Sequence, residues 1–369
     1  MRVPGEPKIA TGRPRVLIVR LGAMGDVLHA LPAMAILRRS LPEAKIAWVV
    51  ERRWRELLCA PGADLAGSRG PSRPLVDEVH LVDTRAWRKH IFSAETRREF
   101  QSAVRGLRAN GYDAALDMQG AIKSSVLARL SGAHLIFGFR NPREKLAQHL
   151  YHALVKGESA HVMEQNLEVV QSLLKHLHMA PATEALQPGA ALLPRDERSE
   201  EHIARLLAPL APAGAPLAIL TPGAGWAAKQ WASARYGELA ALLAQRGFVC
   251  IINYGPGEER LAREAVDASR GAATPLFSSL SEFIALSRRA SLSVGGDTGP
   301  MHLAALLGVR TIALFGPTDP VRNGPYWAGT RVLRHPASIT SYSHKRTEDG
   351  GLEQIAVNEV LLAAEALLR

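Results

Sequence analysis

The residues of this chain best suited to chemistry lie in short Gly-rich runs, each following an apolar stretch. The first run is Gly22-Ala23-Met24-Gly25-Asp26. Its glycines permit a sharp turn and a close approach of backbone to ligand. Asp26 falls where a long helical pattern begins. A carboxylate there can cap the helix. It can also face a sugar hydroxyl and take its proton as a general base. It would repel a pyrophosphate placed at the same helix end. A strand, a Gly loop, a helix and Glu51 at the end of the next strand resemble a dinucleotide site. The loop, however, reads G-x-x-G-D and not G-x-G-x-x-G.

A second run, Ser293-Val294-Gly295-Gly296-Asp297-Thr298-Gly299-Pro300-Met301-His302, again joins a strand to a helix. Pro300 suits a first helical turn. Backbone N–H groups near Thr298 and Gly299 would point out of that helix start, which favours a phosphate. The same residues also make an ordinary Asp/Thr cap with a Gly turn. In Thr221-Pro222-Gly223-Ala224-Gly225-Trp226-Ala227-Ala228-Lys229 a Gly loop carries one lysine suited to anionic oxygen, or simply solvated. It lacks the G-K-[ST] ending of a P-loop. Glu258, in Tyr254-Gly255-Pro256-Gly257-Glu258, can hold a ribose diol or complement a helix dipole.

Two further groups belong to the first half. Asp117-Met118-Gln119-Gly120-Ala121-Ile122-Lys123-Ser124-Ser125 offers polar groups at another strand-to-helix junction. Arg85, Trp87, Arg88, Lys89 and His90 form a basic cluster, with Arg52, Arg53, Arg97 and Arg98 elsewhere in that half. Such a cluster clamps carboxylates and phosphates, or forms a solvated face. No D-x-D occurs, and no His/Cys/Asp cluster has metal spacing, so no metal is expected.

The elements that must position these residues alternate in type. Apolar runs at 15–20, 45–51, 78–82, 112–117 and 134–138 read as buried parallel strands. Helical patterns at about 26–41, 94–109, 121–131 and 142–155 fall between them, and 161–178 reads as one amphipathic helix. The second half repeats the logic. Strands are expected at 217–221, 248–253, 275–278, 292–295 and 310–315. Helices are expected at about 233–246, 258–269, 281–289, 299–307 and 353–368. This alternation marks doubly wound parallel sheets.

At 369 residues the chain is too long for one ordinary core. The expected fold class is α/β, two Rossmann-like doubly wound domains facing a central cleft. Residues 1–14 are expected to be a disordered extension, 15–180 the first domain and 181–194 a Pro/Ala-rich linker. Residues 195–352 are expected to form the second domain, and 353–369 a helix that could pack back on the N-terminal domain.

The net charge of +10 is unevenly placed. Residues 1–180 hold 27 Lys/Arg against 17 Asp/Glu, whereas the remainder holds 18 of each. A basic first half suits an anionic partner, or general solubility. The two cysteines, Cys59 and Cys250, are far apart, which indicates neither disulfide nor zinc site and suits a reducing cytoplasm. The N-terminus has no apolar signal core, and no uncharged run approaches the ~20 residues needed to span a bilayer. Any membrane contact would be peripheral.

Together these motifs resemble glycosyltransferase family 9, the ADP-heptose:lipopolysaccharide heptosyltransferases, from about Arg15 to Arg369. The resemblance implies the GT-B type of this fold class, with 15–180 as the acceptor-binding domain and 195–352 as the donor domain. The specific signals are RLGAMGDVLHALPA at 20–33, DMQGAIKS at 117–124, VGGDTGPMHLAALLG at 294–308 and FGPTDP at 315–320. WVVERRW at 48–54 and RAWRKHIFSAETRREF at 85–100 look most like the heptosyltransferase I branch. The resemblance implies that Asp26 is the catalytic base and that Lys229 stabilises the departing diphosphate. It implies donor contacts at Thr221, Glu258, Asp297, Thr298, Gly299 and His302. Gly25, Arg52, Arg53, Arg88, Lys89, Gln119 and Lys123 are the expected acceptor contacts. The loop PGAGWAAK departs from the branch, which often carries adjacent threonines there; Thr221 is what remains.

The implied reaction is inverting, metal-independent transfer of L-glycero-D-manno-heptose from ADP-heptose to Kdo on the lipid A-linked inner core, with no cofactor. A monomer is expected, cytoplasmic and peripheral on the inner membrane, with no nucleic-acid partner. Three rival readings stand beside it: another family 9 transferase (heptosyltransferase II-like or with a different acceptor), an NAD(P)-dependent oxidoreductase, and a non-catalytic module binding an anionic ligand.

Overall fold

The computed structural model describes residues 13–180, 185–212, 214–341 and 349–369. Most of the proposed N-terminal extension and part of the proposed linker therefore lie outside the described residues. The chain divides into two units, with the division falling between 186 and 195.

In the first unit the order is β1 (Arg15–Val19), α1 (Met24–Ser40), β2 (Lys45–Glu51), β3 (Glu78–Val82), α2 (Thr84–Lys89), α3 (Ala94–Ala109), β4 (Ala114–Asp117), α4 (Ile122–Leu130), β5 (Leu135–Phe139), β6 (Ala153–Val155) and α5 (Val162–His176). All six strands are parallel, ordered β3-β2-β1-β4-β5-β6. The central strand β1 carries RVLIV and buries all but its first residue, as a strand covered on both faces must. Leu17 and Val19 pack with Val49, Ala115, Leu127 and Ile136 in one core cluster.

The second unit holds α6 (Glu197–Leu207), β7 (Leu217–Thr221), α7 (Ser233–Ala244), β8 (Val249–Tyr254), α8 (Glu259–Ala268), β9 (Ala273–Phe277), α9 (Leu280–Ser287), β10 (Leu292–Gly296), α10 (Gly299–Leu306), β11 (Arg310–Leu314), α11 (Pro320–Asn323), β12 (Thr330–Leu333) and α12 (Val357–Leu368). Its sheet runs β12-β11-β10-β7-β8-β9. Counted within the unit, that is the same 3-2-1-4-5-6 order as the first sheet. In such a sheet the chain leaves neighbouring strands in opposite directions at one point. Ligands bind at the carboxyl ends there. The switch points are β1/β4 in the first unit and β7/β10 in the second.

Two expectations are corrected. The helix read at 142–155 is a 3-10 turn at Lys145–Leu150 followed by the edge strand β6. Tyr151 turns inward between them, its hydroxyl donating to Asp117 at 2.7 Å. The edge strand β12 and the helices α2, α6 and α11 fall where no element was expected. The helix α12 contributes to the core of the second unit. Val360, Leu361 and Ala364 make an apolar stripe that joins Ile312, Leu314 and Leu333. Burying a Val, Leu or Ile side chain there contributes about 1.5–3 kcal/mol. Trp231 Nε1 also donates to the Ile355 carbonyl at 3.0 Å, tying the segment before α12 to the same core.

Candidate functional sites at the two switch points

In the first unit, β1 is followed by Arg20 and a loop that delivers Asp26 to the third position of α1. Asp26 is thus not the residue before the helix. Its carboxylate reaches back to cover the start: Oδ2 accepts from the Ala23 N–H at 3.0 Å. Oδ1 lies 2.9 Å from Nη2 of Arg20, whose side chain is 7% exposed against 36% for Asp26. The acid is therefore held from behind by a buried guanidinium while its own face stays accessible. Arg20 is fixed in turn by the Met118 and Asp26 carbonyls. Sequence reasoning passed over Arg20; the available signal was a charge closing an apolar strand at the mouth of the sheet.

The loop is shaped by close approaches. Gly22 has φ +151°, and a Cβ there would fall 2.6 Å from Trp54 Nε1. From the neighbouring strand β4, Gln119 Oε1 accepts from the Leu21 N–H at 2.8 Å. Gln119 and the Asp26 loop are thereby brought together across the switch point. Gly25 is the second residue of α1. Asp117 is a buried anchor and not a surface polar group. It accepts from Tyr151 Oη, Ser124 Oγ and the N–H groups of Gln119 and Gly120. Burial pushes its carboxyl above the ordinary range, opposed by the hydrogen bonds it accepts.

Lys123, at the exposed start of α4, lies 3.7 Å from Glu51 Oε1 and 3.2 Å from Thr84 Oγ1. Glu51 is buried and also accepts from the Thr84 N–H and hydroxyl. It is committed to this junction, which leaves little of it for a ribose. Arg52 and Arg53 follow Glu51 as the exposed first residues of a 3-10 turn, with Arg53 4.7 Å over the Trp54 ring. Arg88 and Lys89 are exposed on α2 and form no ion pair among the described residues.

The second switch point gathers more of its expected residues. Lys229 Nζ lies 2.5 Å from Asp297 Oδ2 and 5.4 Å from the Trp226 ring centroid. His302 Nε2 is 3.0 Å from Asp297 Oδ1, and Thr318 Oγ1 donates to Oδ2 at 2.6 Å. Burial by itself would raise the Asp297 carboxyl. The hydrogen bonds and attraction of His302 and Lys229 prevail and hold it well below the usual carboxylate range. Thr318 was missed as a site residue, although its motif FGPTDP was noted.

Two glycines make this packing possible. A Cβ on Gly295 would fall 2.3 Å from Thr221 Oγ1, and one on Gly296 would fall 2.8 Å from the Lys229 carbonyl. Thr221 is buried, with its hydroxyl 3.4 Å from the Val294 carbonyl. Thr298 precedes α10, whose first residue is Gly299 and whose second is Pro300. The N–H groups of a first helical turn lack intrahelical acceptors, so this start favours an anion. On β8's side, Glu258 accepts from the Gly255 N–H at 2.9 Å and lies against Gly223. The arrangement can receive a phosphate beside a cation, with an acid in the loop after the neighbouring strand for hydroxyl groups.

Among the described residues no group of three or more His, Cys, Asp or Glu could hold a metal ion, and no helix is long and apolar enough to cross a membrane.

Comparison with known proteins gives this geometry a context. The profile of Glycosyltransferase family 9 (heptosyltransferase) matches residues 100–349. Lipopolysaccharide heptosyltransferase 1 of Pseudomonas aeruginosa is 30% identical over 318 residues, covering 85% of this chain and 81% of that protein. The structure of the E. coli heptosyltransferase WaaC with ADP aligns with a TM-score of 0.74 at 29% identity, covering 96% of this chain and 99% of that one. WaaC with ADP-2-deoxy-2-fluoro heptose gives the same TM-score and identity over 95% and 99% of the two chains.

Proposed function

The chain belongs to glycosyltransferase family 9, and on that premise we propose that it moves L-glycero-D-manno-heptose from ADP-heptose to Kdo of the lipid A-linked inner core. The likeness to WaaC bound to an ADP-heptose analogue supports the donor. The basic excess of residues 1–180 supports an acceptor rich in carboxylates and phosphates. The observation that carries the chemistry is the Asp26 carboxylate, presented at the first switch point by buried Arg20.

In this reading Asp26 takes the proton from the acceptor hydroxyl. The oxygen forms a bond to the anomeric carbon as the bond to the diphosphate breaks, inverting the centre and releasing ADP. Lys229 and the start of α10 at Thr298–Gly299 stabilise charge on the departing diphosphate without a metal. Asp297 and His302 line the heptose and diphosphate, Thr221 lies beneath them, and Glu258 holds the ribose. Gly25, Gln119, Lys123, Arg52, Arg53, Arg88 and Lys89 serve the acceptor. The enzyme works as a monomer at the cytoplasmic face of the inner membrane, touching it peripherally.

Mass spectrometry of the protein incubated with ADP-heptose and Kdo-lipid A tests this. The expected product is heavier by one heptose. Failure on that acceptor, with transfer to an already heptosylated core, would assign a heptosyltransferase II-like role instead.

A further inference from the structure

The most exposed large apolar side chain among the described residues is Phe92, at 95%, and its neighbour Ile91 is at 67%. Both sit at the apex of the connection between α2 and α3. The Ser93 N–H donates to the His90 carbonyl at 2.9 Å, so Ile91 and Phe92 occupy the two central positions of a closed turn. Such positions ordinarily take Gly, Pro, Asn, Asp or Ser, for reasons of backbone geometry and hydration. Two large apolar residues there gain nothing from the turn itself.

The hairpin beneath them is braced. The Trp87 ring meets Phe100 edge-on at 5.4 Å, and Trp87 Nε1 donates to Glu99 at 3.2 Å. Ser93 Oγ caps α3 by accepting from the Glu95 and Thr96 N–H groups. The apolar apex is therefore held outward. Around it, residues 85–98 contain Arg85, Arg88, Lys89, Arg97 and Arg98 against the single acid Glu95. All five cations are exposed.

We propose that this apex is the element that docks on an anionic lipid bilayer, with Ile91 and Phe92 entering the boundary between headgroups and acyl chains and the flanking cations Arg85, Arg97 and Arg98 resting on lipid phosphates. The proposal identifies the surface behind the peripheral contact proposed above and rests on that reading. An apolar tip with a basic collar is the arrangement that an anionic membrane interface rewards on both counts. Two side chains are too small an area for a stable protein interface, which needs about 800 Å² per partner. A nucleic acid would use the charge and leave Ile91 and Phe92 in water.

The test uses the full chain and vesicles of phosphatidylcholine with or without phosphatidylglycerol. Co-sedimentation is expected only with the anionic vesicles. The Ile91→Ser/Phe92→Ser variant is expected to bind on the order of tenfold more weakly, with unchanged turnover of a deacylated, water-soluble acceptor. A Phe92→Cys variant carrying an environment-sensitive fluorophore should shift to the blue on binding; Cys59 and Cys250 are buried and would escape labelling. The proposal is overturned if the wild type ignores anionic vesicles, if the double variant binds like wild type, or if the probe stays in water. A double variant that binds vesicles normally but has a raised KM for acylated acceptor would also overturn it, assigning the tip to the substrate's acyl chains. Absence of heptose transfer with tip-dependent vesicle binding would instead defeat the proposed function and leave the docking surface standing.

Discussion

The ammonium of Lys229 lies 2.5 Å from Oδ2 of Asp297, a carboxylate that His302 and Thr318 hold on its remaining sides. The two partners are 68 positions apart. Lys229 is thereby aimed by a buried anion and not by solvent, beside the helix start at Gly299. An incoming diphosphate would share this cation with Asp297, so the position of Lys229 and its charge are separable contributions.

Lys229→Ala is expected to weaken ADP binding tenfold or more and to slow transfer, read by calorimetry with ADP and by turnover. It also removes one partner of a buried carboxylate, at a cost of up to about 3 kcal/mol. Unchanged ADP affinity alongside that loss of stability would reduce Lys229 to a structural counter-ion of Asp297.

The pH dependence of stability follows from the same carboxylate. Asp297 is held below its unfolded value, which is near 3.9. Its contribution is therefore fully present above that value and is lost as pH falls through the depressed one. The difference in thermal midpoint between wild type and Asp297→Asn is expected to shrink as pH falls below about 4. A difference that instead grew below about pH 4 would reverse the sign of the argument.

Asp26→Asn keeps an acceptor for the Ala23 N–H but gives up proton transfer. A fall in kcat of about 10²–10⁴ is expected, with donor affinity little changed. Near-normal turnover would remove Asp26 from the role of base and leave it as the first-turn partner of Arg20.

Gly295→Ala places a Cβ 2.3 Å from Thr221 Oγ1 in a closed packing of β7 against β10. A loss of about 1–3 kcal/mol is expected, from overpacking. Denaturation in urea reads it. Removing the Thr221 hydroxyl with Thr221→Val would not relieve the clash, because the methyl takes its place; Thr221→Ala should recover part of the loss.

Neutralising Arg88 and Lys89 together with glutamine should raise the acceptor KM, most strongly at low salt, since exposed charges are screened over about 10 Å at 0.1 M. A KM that rises equally at all ionic strengths would point to lost packing in place of lost charge.

Much of the fold was legible because its signals are local. A buried parallel strand is a short apolar run, a switch-point loop needs small residues, and a helix start has its own chemistry. Arg15–Val19 followed by the Gly22–Asp26 loop, and Leu292–Gly296 followed by Asp297–Gly299, carry those signals within about ten residues, and the two sheets were placed from them. The edge strands Ala153–Val155 and Thr330–Leu333 were not, since three or four partly exposed residues have no period to detect. What only the tertiary structure decided is how side chains pair across the sheets. Arg20 on the Met118 carbonyl, Gln119 on the Leu21 N–H, and Thr318 with Lys229 on Asp297 join loops from different strands. Such pairs depend on which strands are neighbours, and strand order is set by the packing of the whole sheet, which no local stretch of sequence contains.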